Sequence, residues 1–175
     1  MMMPASVTNL STNDFLFNGY LSSLPCGCLF TRTMKNFILD IAEKCYDIAV
    51  KRGKDVTSNG CLRALVQECA EFNQADERGI HARVDIPLFA VEASYMTAEQ
   101  FFAAYNNRFH NTVDDEVADV LITIATWAYA DGMEHTAVIN TLFEETRNRY
   151  YAYGNDDTIR HMVMLKMRYN ELRND

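Results

Sequence analysis

The longest apolar run in the chain, residues 117 to 130, is broken only by Asp119, Thr123 and Thr126. A bilayer-spanning helix needs about 20 consecutive apolar residues, so this run reads as a helix buried inside a water-exposed fold, with neighbours covering it nearly all round. The 175 residues supply those neighbours within one domain. One thin layer of helices does not cover such an element easily, which predicts a homodimer or a dimer of dimers.

Apolar spacing divides the rest of the chain into helices. Phe37, Ile38, Ile41, Ala42, Cys45, Ile48 and Ala49 recur on one face over about 34–52, with Gly53 as the stop. A second helix over 57–77 is expected to bury Leu62, Leu65, Val66, Cys69 and Phe72 before Gly79, with Glu68 at the border of that stripe and Glu71 beyond it. Thr97 and Gln100 form a capping-box signature for a short helix through about 106. Thr112 and Asp115 open a helix over 113–131 that Gly132 closes. A helix over 134–152 uses Ala137, Val138, Ile139, Leu142, Phe143 and Tyr150, and a last one over 156–172 uses Ile159, Met162, Val163, Leu165 and Met167. No alternating Val/Ile segment argues for a sheet, so the predicted class is all-α. Residues 1–33 lack a sustained period and read as an irregular tail, with Met34 an alternative start. Residues 79–111 read as an arm inserted into a domain spanning 34–175.

Charge excludes some partners. The net charge of −8 repels nucleic-acid backbones, and no basic residue precedes Arg32, which argues against a secretory leader. Cys45, Cys61 and Cys69 fall within helical patterns, and Cys26-Gly27-Cys28 lacks the second ligand pair of a zinc site. A reducing cytoplasm fits this cysteine usage, with neither membrane nor nucleic-acid polymer as partner.

Two acidic pairs point to chemistry. Glu68 with Glu71, and Glu116 with Asp119, are each three apart on a helix, so each pair shares a face. Such pairs usually lie on solvated faces, yet Glu116 falls beside Val120 and Trp127 and Asp119 precedes an otherwise uncharged run. A bare carboxylate buried there costs several kcal/mol or more, so either an Arg or Lys partner or a divalent metal is required. None of His81, His110, His135 and His161 follows a Glu by three residues, which excludes a ferritin-like Glu-x-x-His centre. All-oxygen ligation points to Mg²⁺, with Mn²⁺ the alternative.

With these residues in view, the chain resembles the MazG-type all-α nucleoside triphosphate pyrophosphohydrolases, whose hallmark is Glu-x-x-Glu on one helix and Glu-x-x-Asp on the next. Lys51-Arg52-Gly53 is similar to that family's Arg-Gly turn, the segment from Leu65 to Phe72 to its first acidic motif, and Glu116-Val117-Ala118-Asp119-Val120-Leu121 to its second. The resemblance spans roughly residues 34–153. It implies a four-helix MazG-like bundle carrying the inserted arm and an extra C-terminal helix. The implied reaction hydrolyses a nucleoside or deoxynucleoside triphosphate to the monophosphate and pyrophosphate. Glu68, Glu71, Glu116 and Asp119 would be both catalytic residues and metal ligands, with Glu71 the choice for general base. Lys51, Arg52, Lys54, Arg147 and Arg149 are candidates for the phosphates, although ordinary surface solubility accounts for most such bases.

The long connector departs from the family, where the two metal helices are usually joined more closely. So does the fourth helix: where many members place a phosphate-binding Lys and Asn, the register offers Thr146, Arg147, Asn148 and Arg149. Relatives acting on dUTP or phosphoribosyl-ATP remain within the same resemblance. Trp127 and Tyr129 read as core before they read as base-stacking groups, and Tyr150, Tyr151 and Tyr153 are treated alike. The reading from another class is a catalytically inactive helical interaction protein of the same fold, using its aromatic-rich arm to bind a partner.

Overall fold

The structure, a computed structural model, describes residues 34–132, 136–150 and 154–173. The expectations for the 1–33 tail, Cys26, Cys28, His135, Tyr151 and Tyr153 lie outside those residues. The described residues form seven helices and no strand, an all-α architecture. None of these helices is long and apolar enough to cross a membrane.

Helix α1 (Met34–Lys51) buries Ile38, Ile41, Ala42, Cys45 and Ile48 in the expected line. It ends at Gly53, whose φ of 66° is left-handed and favours glycine. Asp55 then accepts from both the backbone N–H and the hydroxyl of Thr57, and the Thr57 hydroxyl caps α2 (Ser58–Arg78) by accepting from Gly60 N. Gly79, also left-handed, closes α2.

The inward face of α2 differs from the expected one. Cys61, Leu65, Phe72 and Ala75 are buried, whereas Leu62 is 46% and Val66 66% exposed. A line through 61, 65, 72 and 75 passes directly over position 68 at helical spacing. Glu68 therefore stands within the apolar stripe, not at its border.

Residues 79–111 are built into the core. Asp85 caps α3 (Ile86–Ala93) by accepting from Leu88 N at 3.0 Å, and Pro87 sits in the first turn, where its missing N–H costs nothing. This short helix was not foreseen. The predicted capping box opens α4 (Ala98–Arg108), with Thr97 and Gln100 exchanging bonds of 3.0 and 3.3 Å. Phe89, Phe101, Tyr105 and Phe109 are fully buried. Arg168 binds the segment from the far side: its guanidinium donates to the carbonyls of Ala93 (2.7 Å) and Met96 (3.1 Å) and lies 4.3 Å over the Phe101 ring.

Helix α5 (Val113–Ala130) is the buried element the apolar run predicts, packed against α1, α2, α6 (Thr136–Tyr150) and α7 (Asp156–Leu172). On α6 the buried line is Ile139, Phe143 and Tyr150, while Val138 is exposed. Trp127 is core and donates its Nε1–H to Ser58 Oγ at 3.0 Å; Tyr129 is partly exposed and donates to Glu43 at 3.2 Å. The last helix is central rather than an addition, since α7 touches α1, α3, α4 and α5.

Candidate metal centre

Because α2 and α5 pack side by side, Glu68 and Glu71 on α2 come up against Glu116 in the first turn of α5. Glu68, Glu71 and Glu116 each bring one carboxylate oxygen to a spot where all three lie within 4.8 Å of one another. Glu71 is steadied by Gln67, whose Nε2 donates to its Oε1 at 2.9 Å. Glu116 is only 6% exposed, and its Oε2 is buried without a hydrogen-bond partner among the described residues. A buried acceptor without a donor is costly. Three converging carboxylates, one of them with an unsatisfied oxygen, form a hard donor set that suits Mg²⁺ or Mn²⁺.

The electrostatics express the same crowding. Burial, then the charges of Asp119, Glu71 and Glu116, push Glu68 up to about 8. Burial, then Asp115 and Asp119, push Glu116 up to about 7, against the pull of Lys166. Bare carboxylates here are poorly tolerated, and a nearby cation relieves both burdens.

Asp119, expected as the fourth ligand, is engaged elsewhere. Its Oδ2 accepts from Lys166 Nζ at 2.7 Å, and Asn170 adds a side-chain hydrogen bond to the same carboxylate. Lys166 also donates to Asp115 Oδ1 at 2.6 Å. Burial alone opposes its charge, but Asp119 and Asp115 outweigh that penalty and hold the ammonium above its ordinary value.

The acids beside Glu116 are structural anchors. Asp115 accepts from the Tyr105 hydroxyl (2.7 Å) and from Asn111 N (3.1 Å), tying α4 and its following turn to α5. Asp114 accepts from Ala82 N at 2.7 Å and from the Tyr150 hydroxyl, and His81 Nδ1 lies 3.5 Å away. Both acids lie in the first turn of α5, where the helix dipole favours negative charge.

The expected phosphate-binding bases divide into two groups. Lys51 and Arg52 line a cavity of about 370 Å³ with Asn170 and Arg173, and Asn170 is the residue that reaches Asp119. Lys54 is exposed and outside that lining. Arg147 instead clamps Asp156 (2.9 and 3.2 Å) and Glu144 (3.1 Å), joining α6 to the start of α7. Arg149 donates to Asp76 and Asn73 and lies 4.9 Å over Phe72, joining α6 to α2.

Lys166 and Asn170 were missed as members of this neighbourhood. Their signal is nonetheless present: a base and an amide continue the buried line that begins at Ile159 and Met162 on α7. A cation in an apolar stripe implies a buried acid opposite it.

No protein-family model matches the chain, and neither the curated proteins nor the solved structures contain a match to it.

Proposed function

We propose that this chain hydrolyses a nucleoside or deoxynucleoside triphosphate to the monophosphate and pyrophosphate, on a MazG-like helical bundle. The unpartnered, buried Glu116 Oε2 beside Glu68 and Glu71 carries this reading. Glu68, Glu71 and Glu116 are the acidic groups proposed to hold Mg²⁺ or Mn²⁺, with Asp119, paired to Lys166, beside them. When bound, the metal would neutralise phosphate oxygens and lower the pKa of the attacking water. Glu71, oriented by Gln67, is the proposed acceptor for that water's proton. Lys51 and Arg52 are proposed to bind phosphate oxygens from the adjoining cavity.

The purified chain, incubated with Mg²⁺ and a panel of canonical and modified nucleotides, is expected to release pyrophosphate. Release of orthophosphate alone, or no turnover of any nucleotide, overturns the reading. The proposal includes self-association, supported by exposed Leu62 and Val66, one turn apart on α2; a monomer in sedimentation counts against that part.

A catalytically silent interaction protein is the second reading, favoured by exposed Leu88, Val91 and Tyr95 on and just after α3. It requires Mg²⁺ binding to be unchanged in E68A, whereas the enzyme reading requires that variant to lose turnover.

A further inference from the structure

We propose that Lys166 is a built-in cation standing where a second metal would otherwise be needed, so that the centre takes one divalent ion through Glu68, Glu71 and Glu116. This inference rests on the divalent-ion reading of that triad and specifies its stoichiometry. One oxygen from each triad residue lies within 4.8 Å of the others, and Glu116 carries a buried oxygen that no donor satisfies among the described residues. Asp119 has what those oxygens lack: an ammonium at 2.7 Å and the Asn170 side chain.

Lys166 is not a mobile surface base. It is 3% exposed, its Nζ bridges Asp115 and Asp119 at 2.6 and 2.7 Å, and the rings of Tyr105 and Tyr169 lie 5.9 and 5.5 Å away. A second dication on Asp119 would have to approach that fixed positive charge closely, inside a poorly screened interior. Lys166 is thus a positioning residue: it holds Asp119 away from ligation and sets how many ions the centre accepts. Its burial also keeps it from reaching a substrate phosphate.

The test is Mn²⁺ titration of the whole chain by electron paramagnetic resonance, with circular dichroism confirming that each variant is folded. The wild type is expected to bind one ion. E116Q should weaken binding by more than about tenfold. D119N should still bind one ion, because Asp119 is not a ligand, and K166M should accept a second ion on the freed Asp119. Two ions in the wild type, no ion in folded D119N, or one ion in folded K166M overturns the inference while leaving the triad as a metal centre. A wild type that binds no Mn²⁺ overturns the metal centre itself. If K166M does not fold, the wild-type and D119N stoichiometries still decide whether Asp119 is a ligand.

Discussion

Glu68 on α2 and Glu116 on α5 each present a carboxylate oxygen within 4.8 Å of the other, across the interface of two packed helices. Such like charges destabilise the metal-free fold and favour the metal-bound one.

Replacing Glu116 with Gln separates these effects. E116Q removes one repelling charge, and its amide can donate to a neighbouring carboxylate. In EDTA its Tm should rise by about 2–4 °C, the equivalent of roughly 1 kcal/mol in a domain of this size. Nucleotide turnover should fall by about a hundredfold or more. Thermal unfolding and a pyrophosphate assay check the two parts independently.

The pH dependence of the metal-free protein has a definite sign. Glu68 and Glu116 titrate near 8 and 7 in the fold, above the ordinary 4.5. Between these limits the folded state binds more protons than the unfolded chain, so stability contributed by these groups is lost as pH rises from about 4.5 to 8. Melts in EDTA should show that decline, and E116Q should flatten part of it. At pH 8, Mg²⁺ at a hundred times its Kd should add about 2.7 kcal/mol. At pH 5 protons compete for the same oxygens, and the stabilisation should shrink.

Phe89 reports whether residues 79–111 belong to the core. It is 1% exposed, 5.0 Å from the Phe109 ring and 4.9 Å beneath the Arg108 guanidinium. F89A should cost about 3–5 kcal/mol. A detachable arm would tolerate it, so urea unfolding with an unchanged midpoint contradicts the packing described for α3.

The Tyr150 hydroxyl donates to buried Asp114, which also accepts from Ala82 N. Y150F keeps the ring but leaves a buried carboxylate short of a donor, at a cost of about 1–3 kcal/mol. The urea midpoint should fall with the slope unchanged, since the two-state character of the transition is retained.

Local signals made most of the fold legible. Gly53 and Gly79 as stops, the Thr97–Gln100 box and the Thr112 cap all act within a few residues, and the helix over 156–172 follows the periodicity that predicted it. Helix rotation was harder to read on α2, because Leu62 and Val66 compete with Cys61 and Ala75 for the inward face and only tertiary packing chooses. The centre was legible as far as its glutamates. The need for a positive partner near Asp119 could also be inferred; pairing it with Lys166 is harder, because that base is marked only by its place in the buried line of α7, a helix distant in sequence. Likewise, the packing of residues 79–111 depends on Arg168 and the Asp114 and Asp115 anchors.

Lys166 follows its partner Asp115 by 51 positions, and that interval orders events during synthesis. A ribosome that has released α5 but not α7 leaves Asp115 and Asp119 without their ammonium. The buried helix therefore cannot settle into its final surroundings until translation has carried α7 clear of the exit tunnel.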